Sequence, residues 1–250
     1  MARIVSIHSF RGGTGKSNIT ANVATVLARQ GRSVGVIDTD IQSPGIHVLF
    51  SLDPESVEHS LNDYLYGRCA IADCAHDVTK FVDASLPGRL RLIPASTRAG
   101  EISRILKDGY STTRLAQGLR GVVDALGLDV LLIDTHPGLG EETLLSLVVS
   151  HVVAVVLRPD QQDYEGTGIT LQVARALGVP RLMLVVNKVP GGLEEAVRQR
   201  VTRAYECPVV AVLPHDDTLM RLASEAPFVV RYPEHELTAR YVGLVDALLG

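Results

Sequence analysis

Ten residues, His8-Ser9-Phe10 and then Arg11-Gly12-Gly13-Thr14-Gly15-Lys16-Ser17, separate the apolar run Ile4-Val5-Ser6-Ile7 from the helix-forming stretch Asn18–Ala24. A strand that runs through a glycine-rich turn straight into a helix is the opening βα unit of a fold whose strands lie parallel. The turn nearly repeats the phosphate-loop pattern G-x-x-x-x-G-K-[ST]. Phe10 stands where that pattern begins with glycine, and the glycines have moved to 12, 13 and 15, next to an arginine. Main-chain N–H groups curling around phosphate oxygens supply oriented dipoles, and the N-terminus of the following helix adds partial positive charge. Glycine lets the backbone come that close. Lys16 is placed to reach the β- and γ-phosphates, and the Ser17 hydroxyl to hold Mg²⁺. Gly12, Gly13, Thr14, Gly15, Lys16, Ser17 and Asn18 are therefore the candidate phosphate cradle.

Beyond this unit, short β-branched runs alternate with helical patterns. Candidate strands are Arg3–Ser9, Ser33–Asp38, Leu90–Pro94, Val130–Asp134, Val152–Arg158, Arg181–Asn187 and Val209–Leu213. Helical stretches lie between them, among them Lys16–Gln30, Gly166–Leu177, Gly192–Ala204 and Asp217–Ala226, and Glu236–Leu249 ends the chain. The expectation is an α/β fold with a mostly parallel twisted sheet of about seven to eight strands and helices on both faces, in one domain over residues 1–250. At 250 residues and 46% hydrophobic content, one substantial core is affordable. Residues 41–90 are the least regular and predict an elaboration on one edge or face of the sheet. The net charge of −4 gives no global pull toward nucleic acid or anionic lipid. Cys69, Cys74 and Cys207 form neither a C-x-x-C pair nor an even disulfide framework. The chain opens directly on a strand and no apolar run approaches ~20 residues, so the expected localisation is cytoplasmic.

Two further stretches sit at strand ends, where open α/β sheets place their ligands. Asp38-Thr39-Asp40 follows Val34-Gly35-Val36-Ile37, and Leu131-Leu132-Ile133 runs into Asp134-Thr135-His136-Pro137-Gly138. Asp134 is the single carboxylate expected near Mg²⁺ in phosphate-loop proteins. Gly138 can offer its N–H to a γ-phosphate and so register its presence. His136 reads as an ordinary loop histidine. Leu184-Val185-Val186-Asn187-Lys188-Val189-Pro190 looks like the N-K-x-D element that selects guanine. Pro190, however, occupies the carboxylate position and cannot accept the guanine protons, so ATP is favoured over GTP.

With Arg11 at the place of the signature lysine in K-G-G-x-G-K-[ST], the chain resembles the MinD/ParA family of deviant phosphate-loop ATPases. The likeness extends through Gly138-Leu139-Gly140-Glu141-Glu142-Thr143 and Leu213-Pro214-His215-Asp216-Asp217, spanning roughly residues 3 to 248 and leaning toward MinD. It implies an ATP- and Mg²⁺-dependent switch that forms a homodimer with ATP and is stimulated by an activating partner protein. Carried onto this sequence, it places Asp38 near Mg²⁺ with Ser17 and Asp134, and Asp40 beside the attacking water. It puts Asn187 and the backbone at Pro214 around adenine, and lets Arg11 reach a partner subunit's phosphates. Lys16, Asp40 and Arg11 are the expected catalytic set. Glu236–Leu249 reads as a core helix rather than a membrane-seeking tail, so direct membrane binding is disfavoured. Arg198, Arg200 and Arg203 on one helix make non-specific DNA a further candidate partner. Two alternatives stand beside the switch: a non-cycling ATP-bound regulatory scaffold, and a metal- or cluster-insertion ATPase, which would need a closer cysteine pair.

Overall fold

Valine, isoleucine and leucine fill the central strands on both faces, because those strands are covered by helices above and below. The computed structural model describes residues 2–250. Its strands are β1 (Arg3–His8), β2 (Ser33–Asp38), β3 (His76–Asp77), β4 (Arg89–Ile93), β5 (Val130–Asp134), β6 (Val152–Leu157), β7 (Leu182–Val189) and β8 (Val209–Pro214). The helices in chain order are α1 (Lys16–Arg29), α2 (Ile46–Leu49), α3 (Leu61–Leu65), α4 (Thr79–Val82), α5 (Ala99–Asp108) and α6 (Thr112–Leu126). They continue with α7 (Glu141–Val149), α8 (Gln161–Ala176), α9 (Glu194–Tyr205), α10 (Asp217–Leu222), α11 (Phe228–Arg231) and α12 (Glu236–Leu249). The eight strands form one sheet in the order β3-β4-β2-β5-β1-β6-β7-β8. All pairings are parallel except β3 with β4.

This order makes β1 central, between β5 and β6, and puts β2 on the far side of β5. In register, Ile7 lies opposite Asp134, and Asp134 opposite Asp38, so the carboxyl ends of β1, β5 and β2 meet at one level. One face of the sheet is sealed by α1 and α12, where Val23, Leu27, Tyr241, Leu244 and Leu248 are buried among Val5, Ile7 and Leu132. The other face carries two packed groups, one under α3 and α6, the other under α8 and α9. Each fully buried aliphatic side chain contributes about 1.5–3 kcal/mol relative to exposure, and this anchors the strand ends that form the site. Among the described residues no helix is long and apolar enough to cross a membrane.

Beyond shifts of one or two residues at element ends, three features differ from the sequence expectation. β3 is a two-residue antiparallel edge strand, too short for its alternation to register. α8 begins at Gln161 rather than Gly166, because the Asp160 carboxylate accepts from the Asp163 N–H and caps the helix a full turn earlier. α10 stops at Leu222 rather than Ala226, because Ala223 and Ser224 both turn left-handed.

Candidate functional site

β1 ends at His8, and the next seven residues curl back before α1 starts at Lys16. Gly15 precedes that helix at φ 97°, and no side chain caps the first turn. The leading N–H groups of α1 are thus left for a ligand. A Cβ on Gly15 would also stand 2.4 Å from the Asn187 amide nitrogen, so this position needs glycine for both conformation and space. The curl is braced from β7: Asn187 Nδ2 donates to the Thr14 carbonyl at 2.7 Å, and Lys188 Nζ to the Gly13 carbonyl at 2.9 Å. The loop and the expected adenine-binding residue therefore form one mechanical unit. Pro214 ends the neighbouring strand β8, opposite Val189 of β7.

Gly12, Gly13, Gly15, Lys16, Ser17, Asn18, Asp40, Ser43, His136 and Pro137 line a cleft of about 380 Å³ over this loop. Below it, Ser17 Oγ donates to Asp134 Oδ2 at 2.6 Å, and Thr20 Oγ1 to Asp134 Oδ1 at 3.2 Å. Burial pushes the Asp134 carboxyl up to about 6, against the pull of Lys16, Ser17 and Thr20. Asp38, also fully buried, is raised well above the usual carboxylate range by burial and by Asp134 beside it. One of its oxygens, Oδ2, has no hydrogen-bond partner. A hydroxyl and two crowded buried carboxylates, one with an orphaned oxygen, make an all-oxygen donor set that suits a hard divalent cation. Among the described residues no three His, Cys, Asp or Glu side chains cluster to hold a metal alone. A cation here would complete its shell with phosphate oxygens and water.

Asp40 sits at the rim. Its N–H donates to Asp38 Oδ1 at 2.9 Å, and its Oδ1 accepts from the Ser43 N–H at 3.1 Å. Asp40 Oδ1 also lies 2.6 Å from His136 Nδ1, a contact that the reading of His136 as an ordinary loop residue missed. Gly138 does not present its N–H to the cleft, because that group donates to the Ser9 carbonyl at 3.1 Å.

Arg11 turns away from the loop toward α8 of its own chain. Its Nη1 lies 3.5 Å from Asp163 Oδ1 and 3.6 Å from Asp160 Oδ1. The buried Asp163 carboxylate also takes the Arg158 Nε–H at 3.0 Å and main-chain N–H at 2.9 Å. Phe10 accounts for the glycine missing from the loop pattern: its ring rests on Gly166 of α8, where a Cβ would lie 2.1 Å from the ring. His8 was passed over in the sequence, although a polar residue closing a buried strand was a usable signal. It is fully buried, its Nδ1 is 2.8 Å from Thr135 Oγ1, and burial with Lys16 nearby lowers its pKa to about 3. Thr135 Oγ1 donates to the Ile7 carbonyl, so the neutral imidazole carries its proton on Nδ1. Two of the three arginines proposed for DNA have intramolecular partners: Arg198 donates to the Val209 carbonyl, and Arg200 lies 5.2 Å from the Tyr164 ring centre.

A glycine-rich curl feeding the N-terminus of α1, with buried acids at adjacent strand ends, defines a phosphate-loop nucleotide-binding α/β protein. The AAA domain family model matches residues 2–177. An uncharacterized ATP-binding protein of Methanocaldococcus jannaschii is 27% identical over 251 residues, covering 100% of this chain and 89% of that protein. The antiactivator FleN of Pseudomonas aeruginosa is 26% identical over 228 residues, covering 88% of this chain and 76% of FleN. The solved structure of the septum site-determining protein MinD with Mg-ADP, from Pyrococcus horikoshii, matches with a TM-score of 0.83 at 22% identity. That match covers 99% of this chain and 96% of MinD, and establishes the shared fold. The chain belongs to the AAA domain family so matched, and it shares the fold of MinD.

Proposed function

We propose that the chain binds Mg-ATP, hydrolyses it slowly, and uses the difference between its ATP and ADP states to switch association with a second copy and with an activating partner protein. The observation that carries this reading is one cleft in which the uncapped start of α1, Lys16 and the Ser17–Asp134 pair converge. The amides and the Lys16 ammonium would hold the β- and γ-phosphates. Ser17, Asp38 and Asp134 would hold Mg²⁺, which neutralises charge developing on the phosphates. Asp40, at the rim, would orient the attacking water in line with the terminal phosphate. MinD's crystallisation with Mg-ADP supports the same ligand here.

A second reading, a nucleotide-held regulator that does not cycle, draws on Arg11 being engaged within its own chain. A relative named as an antiactivator also favours it. Cluster insertion is the weakest alternative: Cys74 is buried among Leu61, Leu115 and Leu119, and the half-buried Cys69, its Sγ 3.5 Å away, packs against that group.

Calorimetry with Mg-ATP is the direct test. Wild type is expected to bind, and Lys16→Ala to lose about 100-fold or more in affinity, since one charge-assisted contact to phosphate in a cleft is worth roughly 1.5–3 kcal/mol and the ammonium makes more than one. Unchanged affinity in that variant would refute the cradle. Phosphate release that falls by about 100-fold or more in Asp40→Ala supports the switch, whereas tight binding without turnover supports the regulator.

A further inference from the structure

Asp40 cannot orient water unless its own carboxylate is held. An acid on a loop after a strand samples several rotamers. Here Asp40 Oδ1 is engaged twice, by the Ser43 N–H at 3.1 Å and by His136 Nδ1 at 2.6 Å, which leaves Oδ2 for water. The contact is partly shielded, with the Asp40 side chain 17% and His136 25% exposed. His136 is itself fixed at its main chain: its carbonyl accepts from Thr143 Oγ1 at 3.1 Å. The following Pro137 lies against Gly12, and Gly138 is tied to Ser9. The imidazole therefore projects from a loop anchored at α7 and just past the end of β1, and it grips the loop that follows β2.

We propose that His136 is a positioning residue for phosphoryl transfer: its Nδ1–H fixes the Asp40 carboxylate and couples the loop after β5 to the loop after β2. This rests on the ATP-hydrolysis reading above and names a part of its machinery. An apolar side chain at this place would have no donor to offer. In this chain a side-chain hydrogen bond joins the two loops. Misplacing a water-orienting group by about 1 Å costs on the order of 100-fold in rate while leaving ground-state binding intact.

The test is steady-state turnover together with Mg-ATP affinity for wild type, His136→Ala, His136→Asn and His136→Gln, with Asp40→Ala and the Asp40→Ala/His136→Ala double variant. The expected result for His136→Ala is a kcat lower by about 10- to 100-fold with Mg-ATP affinity within about threefold of wild type. Asparagine, whose amide nitrogen falls near the place of Nδ1, should recover most of the rate, and glutamine, whose amide nitrogen falls near Nε2, should not. The double variant should be no slower than Asp40→Ala alone, because the imidazole acts through that carboxylate. Full kcat in His136→Ala, rescue by glutamine in preference to asparagine, or additive losses in the double variant would each overturn the proposal while the ATPase reading stands. No turnover by a wild type that binds Mg-ATP would overturn both. Should His136→Ala fail to fold, the asparagine–glutamine contrast decides alone.

Discussion

Three ionisable side chains, His8, Asp38 and Asp134, are entirely buried at the ends of adjacent strands. Their energetics run in opposite directions. The unfolded chain protonates His8 near pH 6.5, and the folded chain only near 3. Between those values the unfolded state holds more protons, so this residue's share of stability is complete above pH 6.5 and lost as the pH falls, by about 1.4 kcal/mol per unit. Asp38 and Asp134, raised in the fold, keep protons that the unfolded chain has released. Their share is present at acid pH and lost as the pH climbs; for Asp134 the window runs from about 4 to about 6. Replacing His8 by leucine isolates one sign: melting temperature plotted against pH should fall less steeply for His8→Leu than for wild type between pH 6.5 and 4.5. Parallel curves would show that the imidazole does not resist protonation.

At the scale of elements, α8 governs the phosphate loop from behind. It takes the Phe10 ring on Gly166 and the Arg11 guanidinium on Asp160 and Asp163. Gly166→Ala drives a methyl to 2.1 Å from that ring, so either Phe10 or the helix must move. Overpacking of this kind costs about 1–3 kcal/mol, and here the displaced residue begins the nucleotide loop. The expected outcome is a lower melting temperature with weaker Mg-ATP binding, both partly restored by adding Phe10→Leu. A stable variant with wild-type affinity would show that the loop does not lean on α8.

The central strands and α1 were legible in the sequence because buried parallel strands read as unbroken runs of Val, Ile and Leu. The candidate site residues on α1, β2 and β5 were legible because each follows such a run directly. Arg11 and His136 were legible only as departures from a pattern. What they touch, Asp160 and Asp163 in one case and Asp40 in the other, depends on strand order, which places residues about 100 or more apart in sequence within hydrogen-bond reach. β3 escaped notice because two residues carry no periodicity, and the true start of α8 because its cap is one aspartate in a polar stretch.

The molecule as a whole gathers its chemistry at one rim of the sheet, where β1, β2 and β5 end together. Whole-chain behaviour should follow from that rim. Light scattering after size exclusion is expected to show the solution mass double with Mg-ATP in an Asp40→Ala background and stay single with Mg-ADP. An unchanged mass under both conditions would favour the regulator that does not cycle.

The bond from the Gly138 amide to the Ser9 carbonyl bears on how this glycine would register a terminal phosphate. A neutral peptide oxygen already occupies the amide, and a nucleoside diphosphate ends too early to compete for it. A terminal phosphate brings an anionic acceptor, and charge-assisted bonds are about twice as strong as neutral ones. Discrimination at this glycine would then be a contest between two acceptors for one hydrogen, won only by the longer nucleotide.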